Sequence, residues 1–206
     1  MGQEATGIMS DDKVQAESGG ENLLAMSVAG VTLDPTNNMP IIILKAADDS
    51  VAIPIWIGLV EASAIATELE GIELARPMTH DLLKNLMQAL GAVLEKIVVC
   101  DLRENTFYAT LYLRMGDESL EVDSRPSDAI ALALRAKADI FVAQKVIDGS
   151  QKLDMEALQR ALDSDDEDAE GGEAGDEGGE KKRKGKDRWT EILENLKPED
   201  FGKYKM

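Results

Sequence analysis

From residue 23 to residue 162 the apolar positions switch between two periods, and the switches place the elements. Val28 to Leu33, Pro40 to Lys45 and Val51 to Ile57 are short runs rich in Val and Ile, and they predict three strands. The polar segment Asp34-Pro35-Thr36-Asn37-Asn38 predicts the turn between the first two. After Gly58 the period lengthens to that of a helix, with Ala62, Ile65, Ala66 and Leu69 on one face and Gly71 as the stop. A second helix is expected to start at Thr79 as N-cap, bury Leu82, Leu83, Leu86 and Leu90, and end at Gly91.

The same order of periods then returns. Val93 to Cys100, Thr106 to Leu113 and Ser119 to Asp123 read as strands, with a turn over Asp101 to Asn105. Ser124 is expected to cap a helix with Pro126 in its first turn and an apolar stripe of Ala129, Leu132, Ala133 and Ala136. A short strand over Ile140 to Val142 and a last helix over Leu153 to Leu162 complete the pattern. A shift of 67 residues aligns the two halves: Val31 meets Val98, Asp34 meets Asp101, Asn38 meets Asn105, and Ala62, Ala64 and Ala66 meet Ala129, Ala131 and Ala133. The reading is an α+β fold with a mostly antiparallel, curved sheet and packed helices, built from a duplicated βββαα unit.

Composition changes the picture outside this region. The 206 residues carry 40 acids against 22 bases, a net charge of −18. Residues 1–21 hold 5 acids and 1 base and read as a flexible leader, and residues 22–162 as the folded domain. Residues 163–186 form a linker expected to be disordered, first acidic and then basic: Asp163 to Glu180 contains 10 acids, five glycines and no base. Residues 187–206 differ again. Trp189, Ile192, Leu193 and Leu196 fall at i, i+3, i+4 and i+7, one face of a short helix ended by Pro198. This segment reads as a hook for its own domain or for another protein. No apolar run is long enough to span a membrane, no secretory signal opens the chain, and a single cysteine fits a reducing, cytoplasmic setting.

Candidate chemistry is sparse. One histidine and one cysteine exclude the usual His/Cys zinc sites, so any metal would be held mainly by oxygen, as Mg²⁺, Mn²⁺ or Ca²⁺ are. The glycines form no phosphate loop, and no organic cofactor is implied. Glu61 and Asp128, repeat-related and in the first turns of matching helices, either flank a pseudo-twofold cleft or serve the helix dipoles. His80, beside Asp81 and after Arg76, is either a general acid–base or part of a capping neighbourhood. Arg125 before Pro126 either holds a phosphate at a helix N-terminus or pairs with Asp123 or Asp128. Cys100 is expected in the core. Trp56 packs in the core, stacks a base or faces a subunit.

Six segments, in order, carry a resemblance. They are LDPTNNMPIIILK at 33–45, IPIWIG at 53–58, EASAIATELEG at 61–71, RPMTHDLLKNLMQALGA at 76–92, DLRENTFYATLYL at 101–113 and VDSRPSDAIALALR at 122–135. Together they resemble the bifunctional nuclease family over roughly 24–148. The resemblance implies an internally repeated α+β domain acting on DNA and RNA. It leads to the expectation of a metal-assisted nuclease using Glu61, His80, Asp81, Arg125 and Asp128, with Mg²⁺ or Mn²⁺. The alternative is a non-enzymatic regulatory or protein-binding module, which the acidic balance favours. Exposed β edges and Trp56 also admit pairing into a homo-oligomer.

Overall fold

A computed structural model describes residues 22–34 and 38–150. The leader, Pro35 to Asn37, the helix expected over Leu153 to Leu162, the linker and the Trp189 hook lie outside the described residues.

Seven strands form one sheet in the order β3-β2-β1-β7-β4-β5-β6. The strands are β1 (Leu23–Leu33), β2 (Pro40–Ala46), β3 (Ala52–Trp56), β4 (Ala92–Arg103), β5 (Thr106–Met115), β6 (Glu118–Ser124) and β7 (Asp139–Ala143). Every pair is antiparallel except β4 with β7, and the sheet is open, with β3 and β6 at its edges. The α+β, mostly antiparallel expectation therefore holds. Two three-stranded meanders, β1–β3 and β4–β6, flank the central β7. β7 is a short apolar run whose Ile140, Phe141, Val142 and Ala143 are all buried, as a strand covered on both faces requires. Pro54 lacks an N–H for a ladder, and it sits in the edge strand β3, where that lack is tolerated.

Strand boundaries depart from the sequence reading where tertiary pairing decides them. β1 begins at Leu23, not Val28, because Leu23 to Met26 pair with β7, a partner far along the chain. β4 runs on through Cys100 and Asp101 to Arg103. The turn is then only Glu104-Asn105, both left-handed (φ 47° and 61°), the two-residue hairpin geometry that matches strand twist. Cys100 is half-buried within that strand.

Four helices complete the fold: α1 (Leu59–Leu69), α2 (Thr79–Ala89), α3 (Pro126–Ala136) and α4 (Gln144–Gly149). α1 packs on β1 and β2, α3 packs on β4, β5 and β7, and the two helices touch each other. Their alanines permit this close approach: Ala62, Ala66, Ala129, Ala131 and Ala133 are at most 2% exposed. Arg125 rather than Ser124 occupies the N-cap position of α3, with Pro126 as the first helical residue. Leu69, expected on the buried stripe of α1, is exposed at the helix end.

The largest departure is α2. Leu82, Leu83, Leu86 and Leu90 were expected inside, yet they are 62%, 40%, 53% and 65% exposed. The helix turns its other side, with Met87 buried and His80, Asp81 and Lys84 partly buried, toward α3 and β4. No helix among the described residues is long and apolar enough to cross a membrane.

Candidate active site

The N-termini of α1, α2 and α3 each deliver a charged or polar side chain to one place. Glu61 is the third residue of α1 and Asp128 the third residue of α3. A carboxylate there faces the free N–H groups of the first turn, so both positions are locally favourable for acids. The pair does not stand across an empty cleft. Arg125 lies between them: its Nη1 donates to Glu61 Oε1 at 2.8 Å, its Nε to Asp128 Oδ2 at 2.8 Å and its Nη2 to Asp128 Oδ1 at 3.2 Å. His80 completes the group, with Nε2 at 3.2 Å from Asp128 Oδ1.

These contacts set protonation. Burial alone would raise the Asp128 carboxyl, but hydrogen bonds from Arg125 and then His80 outweigh it and hold it below the usual aspartate range. Asp128 is thus an acceptor, and the His80 Nε2–H is the donor that faces it. The Asp128 hydrogen bond, less a burial penalty, raises Arg125, and Glu61 adds to the rise.

An open cavity of about 280 Å³ lies beside the group. Glu61, Arg125, Pro126 and Ser127 form one wall, and Trp56 and the β4–β5 hairpin from Asn105 to Phe107 form others. Trp56 is 41% exposed, not a core residue, and its Nε1–H donates to Asp34 Oδ2 at 3.0 Å. That bond fixes the ring from the β1–β2 turn. Asp34 thereby serves the site's wall as well as its own turn, where the Asn38 N–H donates to the Asp34 carbonyl at 2.8 Å. A Cβ at Gly58 would meet the Glu61 carboxylate, so a larger residue there would push that carboxylate away from its place beside Arg125.

Asp81 belongs to a different arrangement. One carboxylate oxygen accepts the Met78 backbone N–H at 2.9 Å, which caps α2. The other accepts Arg135 Nε at 2.7 Å. Arg135 is 5% exposed, and it also donates from Nη1 to the Ala131 carbonyl at 3.0 Å and from Nη2 to the Ala64 carbonyl at 2.9 Å. One guanidinium thus ties α1, α2 and α3 together directly behind the residues that carry Glu61, His80 and Asp128. Burial raises Asp81, but the Met78 and Arg135 hydrogen bonds outweigh it and lower its pKa. Sequence reasoning passed over Arg135, since an arginine in the last turn of a helix reads as a solvated partner for the dipole. The available signal was its place among alanines and leucines, in the run Ala129 to Ala136.

The donor set does not fit a resident divalent ion as arranged. Glu61 and Asp128 are both engaged by Arg125, which occupies the position a cation would take between two carboxylates. Among the described residues no three His, Cys, Asp or Glu side chains converge in a way that could hold a metal.

Comparison with known proteins bears on this geometry. Residues 42–154 match the model of the bifunctional nuclease domain. An uncharacterized protein of Mycobacterium tuberculosis is 36% identical over 174 residues, covering 84% of this chain and 95% of that protein. Bifunctional nuclease 2 of Arabidopsis thaliana is 28% identical over 131 residues, 61% of this chain and 40% of the plant protein. Bifunctional nuclease 1 of Oryza sativa subsp. indica is 28% identical over 109 residues, 51% of this chain and 33% of the plant protein.

Proposed function

This chain belongs to the bifunctional nuclease domain family, and on that premise we propose that it hydrolyses phosphodiester bonds in DNA or RNA at the Arg125 cluster. The observation that carries the reading is the convergence of Glu61, His80, Arg125 and Asp128 from three helix N-termini, with Glu61 and Arg125 lining a cavity that also holds an exposed tryptophan.

The roles follow from the contacts. Arg125, with 62% of its side chain exposed, exchanges a carboxylate partner for a substrate phosphate and offers its fork to two phosphate oxygens. The free N–H groups opening α1 and α3 face the same negative charge. Asp128 holds the His80 imidazole with Nε2–H inward, and Nδ1 takes a proton from the attacking water as its oxygen bonds to phosphorus, while the ester P–O bond breaks and the leaving oxygen takes a proton from solvent. Glu61 keeps Arg125 extended across the site before substrate arrives. Asp81, one of the expected site residues, acts here by fixing the start of α2 and with it His80. No step in this scheme runs through a metal. The domain's negative balance, 18 acids to 10 bases over residues 22–148, opposes generic nucleic-acid binding and makes Arg125 the essential contact.

The test is cleavage of single- and double-stranded DNA and RNA by the full chain, with Mg²⁺, Mn²⁺, Ca²⁺ or EDTA, beside Asp128→Asn. Cleavage lost in the variant, at an unchanged melting temperature, supports the site. Equal cleavage in the variant removes Asp128 from it. Cleavage abolished by EDTA overturns the metal-free roles. Absence of cleavage under every condition favours the protein-binding alternative, for which the leucine face of α2 is the specific observation.

A further inference from the structure

α2 is amphipathic in the reverse sense. Its polar side is docked and its apolar side is turned to solvent: Leu82, Leu86 and Leu90 form one row, with Leu83 beside it and Met78 at its start. Exposed leucines this concentrated form a patch of the size that is often functional in a monomer. The exposed part of this row is on the order of 400 Å² of apolar area, about half of the ~800 Å² per partner that a stable intermolecular interface buries. A second copy pairing through this face alone would be weak. A segment of the same chain faces no such threshold, because a tether supplies an effective concentration of about millimolar.

We infer that the C-terminal segment 187–206 docks on the leucine face of α2, through Trp189, Ile192, Leu193 and Leu196. The two stripes match in length. Trp189 to Leu196 covers about 10 Å and Leu82 to Leu90 about 12 Å at 1.5 Å per helical residue. They also match in kind, four large apolar side chains at helical spacing on each, so side chains of one fill grooves of the other. Thirty-nine residue steps separate Ser150, the last described residue, from Trp189. That length spans up to about 130 Å when extended, ample to reach any face of the domain. Between Leu162 and Asp187 the chain carries no apolar stripe; Leu153, Leu158 and Leu162 offer a smaller one without an aromatic anchor, and 187–206 is the richer of the two in large apolar side chains.

The chain contains two tryptophans, so Trp56→Phe leaves Trp189 as the only emitter. In that full-length background, docking predicts a blue-shifted Trp189 emission protected from acrylamide. Leu82→Glu with Leu86→Glu shifts it to the red and exposes it to quencher, while the domain keeps a single cooperative unfolding transition, because both leucines lie outside its core. Leu193→Glu gives the same red shift from the other side of the contact. Trp189 emission that responds to Leu193→Glu but not to the α2 pair overturns the proposal, since the segment then docks elsewhere. An emission already red in the parent overturns it too. A concentration-dependent dimer in sedimentation that the α2 pair dissociates assigns the face to a second copy instead.

Discussion

α2 and α3 are both eleven residues long, and the sequence presents an apolar stripe on each, yet they attach to the domain by opposite means. α3 buries eight of its residues, most of them alanine, isoleucine or leucine, against the sheet and α1. α2 buries Met87 alone. What holds α2 in place is polar: Asp81 to Arg135 and the Met78 N–H, and His80 to Asp128. Apolar periodicity establishes that a helix exists, whereas the side it docks is chosen by whatever neighbour offers the better partners. For α2 the neighbours offered a buried guanidinium and a carboxylate, and the leucines were left for a later occupant.

That contrast can be broken most severely from the α3 side. Ile130 is fully buried. Ile130→Ala should cost about 2–5 kcal/mol in urea unfolding, the range for a buried isoleucine truncated to alanine. Leu86→Ala, the same kind of truncation on α2, should cost less, about 1 kcal/mol or below, because Leu86 lies outside the domain's core and only the docked segment covers it. Equal losses would mean that the two helices are held alike.

The polar attachment of α2 is tested by Asp81→Asn. Removing one partner of a buried pair costs about 3–5 kcal/mol, and because Asp81 is 34% exposed the expected loss is smaller, about 2 kcal/mol. Cleavage should fall with it, through displacement of His80. The pH dependence has a definite sign. The folded pKa of Asp81 is depressed, so its stabilising contribution is complete above the ordinary value of 3.8 and is lost as pH falls through the lower folded value. The gap between parent and Asp81→Asn should therefore be constant from pH 5 to 7 and close below about pH 4. A gap that persists in acid would assign the loss to packing, not to charge.

These two helices also show how far the sequence carries. Strands with local partners were readable from alternation and turn chemistry, as were the starts of α1 and α3 from Gly58 and Pro126. The start of β1, the insertion of β7 between β1 and β4, and the six-residue α4 were not, since each depends on contacts distant in sequence or on a segment too short to show a period. Of the five residues expected in the site, Glu61, His80, Arg125 and Asp128 meet, because acids and caps at helix starts are local features that the fold then gathers. Asp81 lies one residue from His80 but points to Arg135, whose burial only its alanine and leucine neighbours hint at in the sequence.

Arg125 carries the proposed chemistry most directly. The measurement is single-turnover cleavage of a single-stranded oligonucleotide by matched preparations of the full chain and its Arg125→Ala variant, with melting temperatures recorded for both. Loss of a donor aimed at developing phosphate charge predicts a fall of about 100-fold or more with little change in melting. Cleavage within a factor of a few of the parent would contradict the claim that the Arg125 cluster is where phosphodiester bonds are broken.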